Sequence, residues 1–243
     1  MKVLLLGGTG EARSLAQVLT SAGVEVVSSL AGRTTDARLP VGEVRSGGFG
    51  GVDGLVAWLR AHPVDAMIDA THPFAATMTA HSVAAAGQAG VPLLILRRPG
   101  WTAQAADRWH RADTIDAAAA LLPTLGSRAF LTIGRQGLQA FATTGLWTLA
   151  RCVDPPEPPP TWCTLILARG PFDVAGELDL MRQHRIDVLV TKDSGGDMTA
   201  AKLEAARRMD IPVVLIERPP LPADIPTAHT SAEVLAWLGD RPR

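Results

Sequence analysis

The run Lys2-Val-Leu-Leu-Leu-Gly-Gly-Thr-Gly-Glu-Ala-Arg13 constrains this chain more than any other stretch. Lys2 to Leu6 reads as a short parallel strand, apolar at nearly every position because helices cover both faces of such a sheet. Three glycines around one threonine follow, then apolar residues at Leu15, Ala16, Val18 and Leu19 with helical spacing. A strand that turns tightly into a helix aims unpaired backbone N–H groups at whatever lies beyond the turn, which suits an anion. Gly7, Gly8 and Gly10 let the main chain approach a pyrophosphate with no Cβ in the way. A dinucleotide fingerprint would place a third glycine at position 13, where this chain has Arg13. An ordinary strand–helix turn is the plainer alternative.

The chain has 243 residues and is 47% hydrophobic, enough for one large or two small cores. A formal charge of −1 argues against a nucleic-acid partner. No apolar run is long enough to span a bilayer, and Met1 leads directly into a strand, so a cytoplasmic protein with no membrane contact is expected. Cys152 and Cys163 lack metal-ligand spacing and read as packed thiols. The six histidines contain no His-x-x-x-His pair, so no metal site is expected. The absence of tyrosine excludes the Tyr-x-x-x-Lys acid of short-chain dehydrogenases. Lysine occurs only at positions 2, 192 and 202, which draws attention to Lys192 inside a turn motif.

Strands are expected at 2–6, 24–28, 65–69 and 92–96, alternating with helices at 11–21, 52–61 and 74–87. The segment Arg97-Arg-Pro-Gly-Trp101 breaks the pattern and reads as a linker. Strands at 128–133, 147–152, 164–168, 187–191 and 212–216 then alternate with helices at 113–122, 137–143, 173–183 and 199–209. Pro155-Pro-Glu-Pro-Pro-Pro160 must be a loop. This grammar gives an α/β fold of two Rossmann-like lobes, each with a parallel sheet, and an interlobe crevice as the natural ligand site. The boundary is expected near residue 110: residues 1–110 form an NADP(H)-binding lobe and 111–243 a second lobe on the substrate side.

Several turns carry candidate chemistry. An NAD site would place Asp or Glu near the end of the second strand to hold the ribose 2′-hydroxyl. Val26-Val-Ser-Ser-Leu-Ala-Gly-Arg33 offers Ser28, Ser29 and Arg33 instead, a set that favours the 2′-phosphate of NADP(H). A polar turn with a solvated arginine is the alternative. Gly47-Gly48 and Gly50-Gly51 would let a backbone pass close to a ligand, or form a flexible loop. Asp69-Ala-Thr-His-Pro-Phe-Ala75 follows the third strand, with Pro73 placed as the first residue of a helix and Thr71 or His72 near its cap. His72 could touch the cofactor, donate a proton or simply cap the helix. In the second half, Leu131-Thr-Ile-Gly-Arg-Gln-Gly137 and Val190-Thr-Lys-Asp-Ser-Gly-Gly-Asp-Met198 are further strand–turn–helix units. Arg135, Lys192, Ser194 and the amides of Gly195 and Gly196 together suit a carboxylate-bearing substrate, while any one of these side chains alone, Arg135 above all, reads equally as a solvated loop residue. Asp193 could hold Lys192 or act as an acid. Arg97, Arg98, Arg151 and Arg169 lie at strand ends, where each could add positive charge or be a surface residue.

Gly7-Gly-Thr-Gly-Glu-Ala-Arg13, Ser29 to Arg33, Asp69-Ala-Thr-His-Pro-Phe-Ala75 and Thr191-Lys-Asp-Ser-Gly195, in that order over this length, resemble the precorrin-6A reductase family of corrin-ring biosynthesis. The resemblance covers essentially the whole chain. It implies hydride transfer from NADPH to one double bond of the macrocycle precorrin-6A, giving precorrin-6B. It also implies a tetrapyrrole substrate and contacts with neighbouring pathway enzymes. By position, Gly8, Thr9, Gly10, Glu11 and Ala12 would meet the pyrophosphate and adjacent ribose. Ser29 and Arg33 would hold the 2′-phosphate, with Gly48 close by. Ala70, Thr71 and His72 would lie on the nicotinamide side. Lys192, Asp193 and Ser194 would face the macrocycle, with Arg135 and Gly195 beside them. His72, Lys192 and Asp193 are the catalytic candidates. The alternatives are a non-catalytic NADP(H)-binding redox sensor, a reductase of another substrate, and the cobalt-precorrin-6A reductase of the anaerobic route.

Overall fold

The computed structural model describes residues 1–32 and 38–240. Along the chain run β1 (Lys2–Leu6), α1 (Gly10–Ser21), β2 (Glu25–Leu30), β3 (Glu43–Ser46), α2 (Gly51–Ala61), β4 (Ala66–Asp69), α3 (Ala76–Ala89) and β5 (Leu93–Leu96). These are followed by β6 (Trp109–Ala112), α4 (Ile115–Leu125), β7 (Arg128–Thr132), a 3₁₀ helix (Arg135–Phe141), β8 (Trp147–Cys152) and β9 (Thr164–Leu167). The chain ends with α5 (Val174–Gln183), β10 (Val188–Lys192), α6 (Ala201–Arg208), β11 (Val213–Ile216), β12 (Thr227–Ala228) and α7 (Ser231–Gly239).

Two units emerge, Met1–Pro99 together with Pro219–Arg243, and Gly100–Arg218. The first contains a six-stranded sheet in the order β12-β5-β4-β1-β2-β3, with every pair parallel. Counted within the unit, this is 3-2-1-4-5-6, the order of dinucleotide-binding sheets. β1, β4 and β5 are buried almost throughout because helices cover both faces. Leu15 and Leu19 of α1 and Val234 and Leu238 of α7 share one core with Val3, Leu5 and Ile68. Leu55 and Leu59 of α2 and Ala85 and Ala86 of α3 share another with Leu4, Leu6 and Met67.

The second unit has a six-stranded parallel sheet in the order β6-β11-β10-β7-β8-β9. Counted from β7 it repeats the order 3-2-1-4-5, and the sixth place is taken by β6, which precedes β7 in the chain. The edge strand β12 therefore comes from beyond the second unit in the chain, and β6 comes from before the rest of its own sheet.

This strand exchange is where the expected division at residue 110 departs from the structure. Trp109 pairs with Val213, so the second unit already begins at Gly100. Thr227 pairs with Ile95, which draws Pro219–Arg243 back to the first unit rather than leaving 111–243 as one lobe. The elements that the sequence reading lacked are β3, β6, β12 and α7. β3 and β6 are polar or half-exposed edge strands, and β12 has two residues. The helix expected at 137–143 is a 3₁₀ helix at Arg135–Phe141, with Gly137 so close to Ile115 that a Cβ would lie 2.9 Å from its Cδ1. α3 starts at Ala76 rather than at residue 74, because Ala75 N donates to His72 O at 2.7 Å and the chain spends those residues in a turn.

Candidate functional site

In an open parallel sheet, ligands gather at the carboxyl ends of the two strands where the strand order reverses. In the first unit those strands are β1 and β4. Gly8, at φ +114°, turns the chain in a way that L side chains rarely allow. Thr9 caps α1: its Oγ1 accepts from Ala12 N at 3.0 Å and donates to Ala70 O at 2.9 Å. One hydroxyl thus fastens the turn after β1 to the turn after β4. Gly10 and Glu11 open α1, and helix-opening amides have no intrahelical acceptor, which makes this an anion cradle. A Cβ on Gly7 would lie 3.4 Å from Ala12 Cβ. Ala12, buried on α1, is thus the small residue packed against this turn. Glu11 has its amide to offer there, since its carboxylate is paired with Arg98 Nη1 at 2.5 Å.

The turn after β4 is organised by Asp69, a residue outside the sequence-based site. Its buried carboxylate accepts from Thr71 N at 3.0 Å, Thr71 Oγ1 at 2.6 Å and Thr79 Oγ1 at 2.7 Å. Ala70 N donates to Leu6 O at 2.9 Å. His72 is exposed, and its Nδ1 accepts from Phe74 N at 3.2 Å. A neutral ring with Nδ1 as acceptor carries its proton on Nε2.

At the end of β2, Ser28 is buried, and its hydroxyl has no hydrogen-bond partner among the described residues. Ser29 Oγ accepts from Arg45 Nη1 at 3.0 Å. Arg45 also donates to Gly47 O at 2.7 Å and Gly48 O at 2.9 Å, and lies over the Phe49 ring at 3.7 Å. Burial pulls its pKa below the usual arginine value. Arg33 lies outside the described residues. Arg45 was missed because its strand is polar and short; its place two residues before Gly47-Gly48 is the signal that could have found it.

In the second unit the strand order reverses between β7 and β10. Gly134, at φ +76°, leads into Arg135, whose Nη1 donates to Pro155 O at 3.2 Å. Lys192 ends β10 half-buried, and burial lowers its pKa. Ser194 N donates to Lys192 O at 2.6 Å, and Gly195 and Gly196 follow at φ +65° and +71°. The sheet thus brings Arg135, Lys192, Ser194 and Gly195 to one edge.

The sequence reading allows Asp193 either to hold Lys192 or to act as an acid. The residue is buried, its Oδ1 accepts from Trp101 N at 3.0 Å, and its Oδ2 lies 3.7 Å from Arg218 Nε. Its carbonyl accepts from the same Arg218 Nε at 2.6 Å. These contacts suit a brace for the turn better than a proton donor. Trp101 adds a second fastening, Nε1 to Gly196 O at 2.9 Å, and its ring lies 4.7 Å from Lys202 Nζ. Lys202 in turn donates to Thr199 O at 2.6 Å.

Arg151 leaves the list of surface cations. It is buried, stacked on Phe172 at 3.7 Å and paired with buried Glu177 at 2.7 Å.

Fold and turns together define a protein of two dinucleotide-type α/β units, one with an anion cradle and one with a basic turn. The family model for precorrin-6x reductase CbiJ/CobK matches residues 2–239. The chain belongs to this family of reductases. A precorrin-6A reductase of Rhodococcus erythropolis is 58% identical over 241 residues, covering 98% of this chain and 97% of that one. One from Mycobacterium tuberculosis H37Rv is 47% identical, covering 99% and 98%. A cobalt-precorrin-6A reductase of Priestia megaterium is 26% identical, covering 89% and 90%. A solved structure of CobK precorrin-6A reductase superimposes with a TM-score of 0.92 at 46% identity, covering 99% of this chain and 96% of that one.

Proposed function

We propose that the protein reduces precorrin-6A to precorrin-6B with NADPH. The observation that carries the cofactor is the end of β2, where the carboxylate of an NAD site is replaced by Ser29 against a guanidinium. The glycine turn fits a pyrophosphate: it offers backbone amides, a left-handed Gly8 and no side chain in the way. NADPH supplies the hydride when bound. The macrocycle gains that hydride at one carbon of a double bond and a proton at its neighbour, two hydrogens in all.

The chain's own residues then bind, orient and supply a proton. Gly8, Thr9, Gly10, Glu11 and Ala12 hold the pyrophosphate through amides and the helix N-terminus. Ala70 and Thr71 shape the nicotinamide side, and their positions are set by Asp69 and Thr9. His72, exposed beside this turn, is the candidate proton donor. Arg135, Lys192, Ser194 and Gly195 take substrate carboxylates. Hydride addition to a conjugated ring system needs little acid assistance, so orientation carries most of the rate, roughly 7–11 kcal/mol at its upper end.

Metal-free precorrin-6A is favoured over the cobalt form because relatives bearing that name are 42–58% identical and the cobalt-precorrin relatives 26–30%. A non-catalytic sensor would have no use for the basic turns of the second unit. The test is to mix protein, NADPH and metal-free precorrin-6A without oxygen and follow nicotinamide absorbance with product mass. A gain of two hydrogens matched to NADPH loss is expected. Turnover only with the cobalt-bearing ring would transfer the assignment to the anaerobic route, and no turnover with either would support the sensor.

A further inference from the structure

We propose that Arg45 is the residue that distinguishes NADPH from NADH, by holding the 2′-phosphate beyond the ends of β2 and β3. The inference rests on the NADPH reading above and names the group that performs its selection. In this sheet order the adenosine ribose lies beyond the second strand. Arg45 stands there because β3 pairs with β2 in the register Ser29 to Arg45, so its side chain leaves the sheet beside Ser29.

Three features of Arg45 fit an anion. Its guanidinium has five N–H donors, and three of them go to Ser29 Oγ, Gly47 O and Gly48 O. Nε–H and one Nη2–H remain, a pair able to meet two phosphate oxygens. Three hydrogen bonds and the Phe49 ring already fix the side chain, so little rotamer entropy is left to lose on binding. Finally, its charge is half-buried without a carboxylate in an ion pair among the described residues. Arg98, Arg151, Arg207 and Arg218, also withdrawn from solvent, each lie against one, Glu11, Glu177, Asp107 and Asp193, whereas half-buried Arg128 rests on Trp147 and the His184 carbonyl instead. A desolvated cation without a counter-ion is costly, and a phosphate dianion would compensate it.

The rival role for Arg45 is a brace that merely ties down Gly47 and Gly48. The two roles separate by cofactor. Calorimetric titration of the full chain with NADPH, NADH, 2′,5′-ADP and 5′-AMP is compared for wild type, Arg45→Met and Arg45→Lys. The wild type is expected to prefer NADPH to NADH. Arg45→Met keeps an apolar stem over Phe49 and should weaken NADPH and 2′,5′-ADP by about 10- to 100-fold, the worth of a hydrogen bond to a charged group. NADH and 5′-AMP binding should hardly move, which also reports an intact fold. Arg45→Lys keeps the charge and should recover part of the loss. Equal weakening of both cofactors in both variants would make Arg45 a brace and overturn the proposal. So would a full NADPH preference in Arg45→Met, particularly if Arg33→Ala removed it. If the wild type binds NADPH and NADH alike, the NADPH reading itself fails, whatever Arg45 does.

Discussion

Two buried charges show how much a single residue decides here. Asp69 satisfies one backbone amide and two hydroxyls, and through Thr71 it sets the turn that Thr9 fastens to the glycine loop. Asp69→Ala would leave those donors unpaired in a buried place. We expect it to lower the unfolding free energy by about 2–4 kcal/mol and to weaken NADPH binding, as denaturant titration and calorimetry would show. Lys202 is buried, and its pKa is lowered to about 7 by burial, then by Arg151, against the opposing effect of Glu177. Between about 7 and its ordinary value of 10.5, the unfolded chain binds a proton that the folded state releases. Stability should therefore rise with pH across that window, and the gain should be lost again as pH falls toward 7. Lys202→Met should flatten this profile in thermal melts followed from neutral to alkaline pH.

The elements with chemistry are turns held by partners distant in sequence. The turn after β10 is fixed by Trp101 at Asp193 and Gly196, from more than ninety residues away. Trp101→Phe keeps the ring and the main-chain donor but removes the bond to Gly196 O. About 1 kcal/mol of support for the substrate turn should be lost. We expect the KM for the macrocycle to rise about fivefold while the Kd for NADPH stays constant, checked by steady-state kinetics and titration. Among the elements themselves, the central strands were legible because burial on both faces forces continuous apolar runs such as Val-Leu-Leu-Leu at 3–6. Edge strands carry no such requirement. Glu43-Val-Arg-Ser46 has one apolar residue and forms a strand only because β2 offers it free backbone groups. α7 had a readable start in Thr230-Ser-Ala-Glu233, where Thr230 Oγ1 accepts from Glu233 N at 3.2 Å, yet it falls beyond the alternation that guided the reading.

At the scale of the molecule, the chain leaves its first unit after Pro99 and returns at Pro219, so the last helix belongs to the first core. Val234 of α7 is fully buried in the core with Leu15, Leu19 and Leu96. Placing a carboxylate there with Val234→Asp should destabilise the first unit by about 3 kcal/mol or more. Hydrogen exchange should show β1 to β5 losing protection while β7 to β11, built on a separate core, keep theirs. Had 111–243 been one lobe, the same change would loosen the second unit instead.

The sequence by itself determined the α/β class, the glycine turn after β1 and the basic turn after β10. Each of these is local: a strand's apolar run, a helix's spacing and a glycine's freedom at positive φ are written within a few neighbouring residues. The family resemblance likewise rests on contiguous blocks. Only the tertiary structure decided that Ala12 packs against Gly7, that Asp193 is held by Trp101 and Arg218, that Arg151 is buried and that Arg45 stands beside Ser29. Those outcomes depend on strand register and on which strand takes the sixth place in each sheet. Pairing energy there comes from backbone groups common to every residue, so no local pattern of side chains announces it.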